Sequence, residues 1–406
     1  MDRHTLQRIS DLDRRIVTVS KSIKILSSLS WPASSCEAFL SGWKKKKPKL
    51  PKVEHPRFEF GPTIRELKAI EKESGAFKNP VADYVRDTAR SYIAAARMLS
   101  AVGRPEFVLY STELYGRPDD PIAAGGKSHL HAAEHFITLT EEYIKSGRSE
   151  GQPLTLSPEK AAVLLRKSIK TVFGATNLKV EIDPKLASKA VAGSTRIRLR
   201  KMSKFSVLEV EQLVQHEAFV HAATLHNGRQ QEKLPSLGLG SPRTTKTQEG
   251  LATLAELITL NMEIGRLRRL ALRTKAVHEA LNGADFIEVF KLFLNSKQSE
   301  TESFYSAMRV FRGGDVRGKI AFTKDIVYLQ GLIDVHAFVR KALHNNQIER
   351  LYHLLAGRMH LKDVERLEPL FESGFLRAPT ILAPWAQNKE CLAAHFGYLS
   401  FAHEII

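Results

Sequence analysis

Cysteine is almost absent from this chain: Cys36 and Cys391 are the only two in 406 residues, and they stand far apart. That excludes a disulfide framework of the kind that staples small secreted folds. Long apolar runs are missing too. None approaches the roughly 18 residues that cross a bilayer, so no membrane segment is expected. The opening residues Met1 to Ile9 lack the basic start and apolar middle of a secretory signal. A cytoplasmic location is the plain expectation. Acidic residues are in deficit, 44 against 61 Lys and Arg, for a formal net charge of +17. Part of the excess is local, in the compact run Lys44 to Lys49 followed by Lys52. Such charge suits nucleic acid, anionic surfaces or acidic peptides without choosing among them. No zinc finger, ribonucleoprotein motif or helix-turn-helix signature accompanies it, so specific nucleic-acid binding is not expected. A solvated basic surface is the simpler account, and it covers the Arg266-Leu267-Arg268-Arg269 stretch as well.

What is present is ordinary globular material: 43% hydrophobic and 26% charged residues, enough for one large core or two smaller ones. Helical spacing runs through residues 5–30, where Leu6, Ile9, Leu12, Ile16, Val19 and Ile23 recur on one face. A Lys- and Pro-rich stretch from Trp43 to Pro62 reads as an extended connector. Helical patterns resume at Ile64 to Lys72, Val81 to Val102 and residues 157–173. The period then drops to two in Leu178 to Ile182 and Thr195 to Arg200, as in half-buried strands. Helices dominate the remainder, with a glycine-rich interruption from Arg312 to Gly318. The expected class is α+β, predominantly α-helical, with a small sheet before the helix that carries His216. Four regions follow: 1–60, an N-terminal helix and basic connector; 61–150, helical; 151–295, a core bearing the candidate site; and 296–406, C-terminal helices lining it.

The helix opened by Ser206 concentrates the chemistry. Ser206 and Glu209 make a capping box, and Asn227-Gly228 is a stop signal. Winding it at about 100° per residue puts Val207, Val210, Val214, Ala218 and Leu225 on one apolar face, with Glu217 and His221 inside that face. A buried carboxylate there is costly unless paired or near a metal. His216 and His221 are five apart, about 140° on an ideal helix, so one ion can bridge them only across a π-bulge or widened turn. The alternative is two unrelated histidines and a Glu217–His221 ion pair. Downstream, Thr245 and Gln248 suggest a capping box for a second helix, with Glu249 in its first turn. Gly250 beside it lowers helix stability by about 1 kcal/mol relative to alanine, which suggests close backbone approach. His216, His221 and Glu249 would supply the three protein ligands of a catalytic zinc site. Glu256, seven residues on, is an alternative ligand by spacing. Strands leading into a metal-bearing helix match the zincin plan, in which an edge strand can pair with extended peptide. A competing motif, His131-Ala132-Ala133-Glu134-His135, has the H-x-x-E-H spacing of inverted zincins. It stands in a polar segment before the strands, where a solvated helix face is the simpler account.

These residues resemble the QEGLA-motif family, whose bacterial members are labelled flavohaemoglobin expression-modulating proteins and whose animal members are tyrosine metallocarboxypeptidases acting on tubulin. The shared landmarks are His216-Glu217-Ala218-Phe219-Val220-His221, Asn227-Gly228, Gln248-Glu249-Gly250-Leu251-Ala252, and Phe322 to Gly331. The resemblance covers nearly the whole chain. It implies a zincin-like metallopeptidase core, Zn2+ held by His216, His221 and Glu249, and Glu217 as the catalytic carboxylate.

The chemistry so implied is hydrolysis near a polypeptide C-terminus, with a peptide or protein end as partner, acidic tails and aromatic terminal residues included. Zinc acidifies water and polarises the scissile carbonyl, and Glu217 moves the proton to the leaving amine. A free terminal carboxylate calls for a cation, and Arg312, Arg317, Lys319 and Lys324 cluster around Gly313, Gly314 and Gly318. Tyr328 is a candidate donor to the oxyanion. The alternatives are a non-enzymatic binding protein with a structural metal site and a general endopeptidase. Nothing in the sequence indicates the oligomeric state.

Overall fold

The computed structural model describes residues 3–32, 34–122, 126–147, 152–174, 178–184, 186, 188–193 and 195–402. The division drawn between 150 and 151 falls outside the described residues. The elements that matter for the site, in chain order, begin with α1 (Arg3–Val19), α2 (Gly61–Gly75), α3 (Pro80–Ser100), α4 (His129–Lys145) and α5 (Pro158–Phe173). Three strands follow, β1 (Lys179–Asp183), β2 (Ala190–Ala192) and β3 (Arg196–Arg200). The metal-candidate helix α6 is continuous but composite: α-helical over Val207–Leu213, a π-helix over Val214–Ala222, and α-helical again over Ala223–Arg229. Then come α7 (Thr245–Ile258), α8 (Ile264–Leu281), α9 (Glu300–Phe311) and α10 (Val327–His344). Among the described residues the chain is mostly helical with one small sheet, the α+β class expected.

Local signals account for much of this. Asn79 accepts a hydrogen bond from Ala82 N at 2.9 Å and Pro80 occupies the first turn, so α3 begins where the sequence marks it. The helix expected over residues 5–30 is instead broken after Val19, with only short helical pieces at Ser20–Ser22 and Ile25–Ser28. In β3 the alternation is as read: Ile197 and Leu199 are fully buried while Arg196 and Arg198 reach Glu181 and Asp183 across the parallel β1 pairing. The short β2, antiparallel to β3, went unread because three residues, Ala190-Val191-Ala192, cannot establish a period. The sheet order β1-β3-β2 leaves β2 on an edge.

Two main apolar cores form, and neither is a continuous stretch of chain. The first gathers α1, α2 and α3 with Leu272, Ala276, Val277 and Ala280 of α8 and Phe304, Ala307, Met308, Val310 and Phe311 of α9. The second gathers α5, the sheet, the buried face of α6, Leu251 and Leu254 of α7 and Leu332, Val335 and Val339 of α10. Helix α8 runs antiparallel to α4, since Arg268 meets Glu141 at 2.7 Å and Lys275 meets Glu134 at 3.4 Å. The face that α6 presents differs from the simple helical projection at its start. Val207 is 56% exposed, because the apolar stripe takes hold only from Val210.

Candidate metal centre and cleft

The capping box at the head of α6 is complete: Glu209 N donates to Ser206 Oγ at 3.0 Å and Ser206 N to Glu209 Oε2 at 3.2 Å. Seven residues on, the helix widens into the π-turn that the histidine spacing demands. In a π-helix the i and i+5 positions take the places that i and i+4 hold in an α-helix. The rings of His216 and His221 therefore meet, centroids 4.8 Å apart and nearly perpendicular at 88°. Glu217 is buried beside them, and Ala192 N of the edge strand donates to its Oε2 at 2.7 Å. Asn227-Gly228 does not stop the helix, which runs on to Arg229. Its role is tertiary. Asn227 bonds the carbonyls of Leu355 and Ile381, and a Cβ on Gly228 would lie 2.1 Å from Leu237 O.

Helix α7 supplies the carboxylate. No capping box forms at Thr245; Gln248 instead accepts from Thr224 Oγ1 of α6 at 2.9 Å, tying the two helices together. Gly250 is where backbones touch: a Cβ there would lie 2.2 Å from Gly331 O on α10. This contact seats Glu249 so that its Oε2 stands 3.5 Å from His216 Nε2 and 3.5 Å from His221 Nε2. The three candidate ligand atoms all lie within 4.8 Å of one another. The two 3.5 Å separations from Glu249 are long for a hydrogen bond, whereas atoms sharing a tetrahedral zinc at about 2.0–2.1 Å stand about 3.4 Å apart. The donor set fits a zinc ion.

The surrounding charges fit one too. His216 Nδ1 bonds Glu256 Oε1 at 2.6 Å, leaving Nε2 turned toward Glu249 and His221. Glu256 is thus a partner of a candidate ligand rather than a ligand, the usual arrangement behind metal-binding imidazoles. It is held in turn by Arg266, whose Nε and terminal nitrogen each lie 3.1 Å away. Burial opposes charge on His216, but Glu249 and Glu256 outweigh it and raise its pKa to about 10. Burial likewise opposes ionisation of Glu249, yet Lys324 and the two histidines hold its carboxyl well below the ordinary range. Arg266 and His216 do the same for Glu256, pushed down to about 2 against the effect of burial. With Glu249 and Glu256 set against the two imidazoles, the pocket is arranged for positive charge.

A cleft of about 1390 Å³ opens over His216 and Glu217, between the two cores. Its far wall carries Arg266, Arg269 and Arg273 of α8, with Arg309 of α9 and Tyr328 of α10. The basic stretch of α8 is therefore not the solvated surface expected; the i, i+3, i+7 spacing of these three arginines was its only signal. Arg309 holds Asp325 at 2.6 and 2.7 Å and reaches Tyr328 Oη at 3.3 Å. The Tyr328 ring has Arg273 at 4.9 Å and Lys324 at 5.4 Å from its centroid.

The other expected cations divide. Lys324 is buried, its Nζ lies 3.3 Å from Glu249 Oε1, and it is not among the cleft-lining residues. Arg312 is buried over the Phe322 ring and is not among the cleft-lining residues. Arg317 is exposed and folds back on Asp315 at 2.7 Å, and Lys319 is exposed in a left-handed turn; neither lines the cleft. The competing His131 and His135 are exposed on α4, with Glu134 paired to Lys275. Among the described residues, the only metal-compatible cluster is His216, His221 and Glu249.

Two histidines, a glutamate facing them, and a second glutamate beside them at the edge of an open cleft make a candidate metal centre. The family model described as microtubule-associated tyrosine carboxypeptidase matches residues 37–404, and the chain belongs to that family. A search of curated proteins gives no match. Among solved structures, one described as a lipoprotein from Colwellia psychrerythraea is similar at a TM-score of 0.47 and 12% identity, over 90% of this chain and 75% of that one. A likeness of that size carries no argument about fold or activity.

Proposed function

We propose that this chain is a zinc-dependent carboxypeptidase with a zincin-like core, removing a terminal residue, aromatic in keeping with its family, from a peptide or protein. His216, His221 and Glu249 would hold the ion. The observation that carries the reading is their convergence across a π-turn, beside a cleft that His216 and Glu217 line. Bound zinc supplies Lewis acidity at the scissile carbonyl and lowers the pKa of water toward neutrality.

The remaining work falls to the protein. The Ala192 amide fixes Glu217 Oε2 and leaves Oε1 without a protein partner among the described residues, available to take the proton of the attacking water and pass it to the departing amine. The edge position of β2 suits an extended substrate strand laid alongside it. Tyr328, its hydroxyl within reach of Arg309 and that guanidinium locked by Asp325, is the proposed hydrogen-bond donor to the oxyanion. Glu256 fixes the His216 tautomer, and Lys324 keeps Glu249 ionised with one oxygen engaged.

The test is C-terminal profiling of a peptide library treated with wild type and with Glu217→Gln, alongside zinc content of both. Loss of C-terminal residues with wild type alone, at equal zinc content, supports the reading and reveals the preferred side chain. Equal profiles overturn it in favour of a binding protein with a structural metal. Internal cuts overturn it in favour of an endopeptidase.

A further inference from the structure

The four arginines of the cleft wall are not equivalent. Arg266 is spoken for by Glu256, and Arg309 by Asp325. Arg269 and Arg273 have no carboxylate within hydrogen-bonding reach among the described residues. Both are partly buried, and both line the cleft. Burial, with Arg309 nearby, pushes the Arg273 guanidinium down to about 10; burial and Arg266 lower Arg269 as well. They sit at i and i+4 on α8, where like charges repel and weaken a helix. Nearby carboxylates relieve this only in part: Glu209, Glu263 and Glu256 attract Arg269 and Asp325 attracts Arg273, but none is hydrogen-bonded to either, and Glu209 is bonded to Lys189 at 2.7 Å, Glu217 to Ala192, and Glu302 to Arg200. Glu263, the remaining acidic residue of the lining, forms no ion pair among the described residues.

Two partly buried guanidiniums, four residues apart, lining one cavity and hydrogen-bonded to no carboxylate among the described residues, are suited to receive an incoming anion. Resting on the peptidase reading above, we propose that Arg269 and Arg273 together capture the free α-carboxylate of the substrate. They thereby close the cleft one residue beyond the scissile bond. Arginine suits the task because its planar fork grips both carboxylate oxygens. The residue side chain would then lie against Tyr328, whose ring Arg273 already covers. The pair also explains why the cleft wall tolerates a repulsive arrangement: the incoming carboxylate relieves it, so binding energy is concentrated on the terminus and withheld from internal segments.

The experiment compares a hexapeptide ending in tyrosine with its C-terminal amide. Binding of each is measured by calorimetry to zinc-loaded Glu217→Gln protein, and hydrolysis of each with the Glu217 enzyme. The free acid is expected to bind about 10- to 100-fold more tightly than the amide. Adding Arg273→Gln or Arg269→Gln should bring that ratio close to one, through KM far more than kcat. Arg273→Lys should restore part of the preference, since it keeps charge but loses the fork. The thermal midpoint of Arg269→Gln should not fall, because no protein ion pair is lost, and that separates the subsite from a folding effect; Arg273→Gln also gives up its contact with the Tyr328 ring. Equal binding of acid and amide to the unsubstituted pair, or an undiminished ratio in both Gln variants, overturns the proposal. If the enzyme hydrolyses neither peptide, the peptidase reading fails while the binding ratios still decide the carboxylate site.

Discussion

Two helices in this protein carry a pair of histidines with a glutamate between them, and they behave in opposite ways. On α4, His131 and His135 have the four-residue spacing that suits a shared ion on a regular helix. Yet both face solvent, and Glu134 is paired with Lys275 on α8. On α6, His216 and His221 have a spacing that a regular helix would forbid, yet they converge on Glu249 because the helix is widened over Val214–Ala222. The difference lies in what surrounds each pair. Around α6 most groups have an oriented partner: Glu256 behind His216, Arg266 behind Glu256, Lys324 behind Glu249, Ala192 on Glu217; among the described residues His221 Nδ1 alone of the candidate ligands' ring nitrogens has none. On α4 the side chains of His131 and His135 are exposed, and no carboxylate or carbonyl orients them among the described residues. Ligand spacing is necessary for a metal site, but the second layer of contacts decides whether ligands are held ready.

Several changes would break or sharpen that contrast. The largest effect is expected from Glu249→Ala, which should lower zinc affinity by more than the roughly 100-fold typical of outer-layer partners, read by calorimetry and metal analysis. Retained stoichiometric zinc would remove Glu249 from the ligand set. Gly250→Ala should cost about 3 kcal/mol in chemical unfolding, since the new Cβ would fall 2.2 Å from Gly331 O; a change under half that would mean the helices can part. Glu256→Gln leaves all three ligands intact, yet should weaken zinc binding by about 10- to 100-fold through loss of the charged partner on His216. Unchanged affinity would reduce the second layer to decoration. The smallest effect belongs to His131→Ala with His135→Ala, for which zinc content should be unaltered and stability should move by less than about 0.5 kcal/mol. Any loss of zinc there would overturn the contrast itself.

Much of α6 was readable in advance because its constraints are local. The capping box is a four-residue pattern, the buried carboxylate stands out on an apolar face, and the histidine spacing requires a widened turn if one ion is to be shared. Gly250 was legible for a similar reason: a glycine in a helix invites the question of what comes close. The arginine wall was not. A helix bearing Arg266, Arg268, Arg269 and Arg273 reads as solvated until α4 and α9 are known to flank it, and that packing is tertiary. The glycine-rich loop misled in the opposite direction. Arg317 looked available for substrate, but Asp315, two residues away, satisfies it at 2.7 Å. Lys324 was found for the wrong reason, since the nearest anion it serves is Glu249, 75 positions earlier.

The meeting of Gly250 with Gly331 has a consequence for how this protein can change over time. Side chains at most helix crossings act as adjustable spacers, and substitutions there let neighbouring helices drift apart or rotate by small steps. Here there is no spacer to adjust. The helix with Glu249 and the helix with Tyr328 are registered by backbone against backbone, as are Lys246 O and Gly331, where a Cβ would fall 2.2 Å away. Selection acting on this crossing therefore has few small moves open to it. Variation in what the cleft accepts must come from the loops and the arginine-bearing wall, while the crossing itself stays as a fixed datum from which the rest of the site is measured.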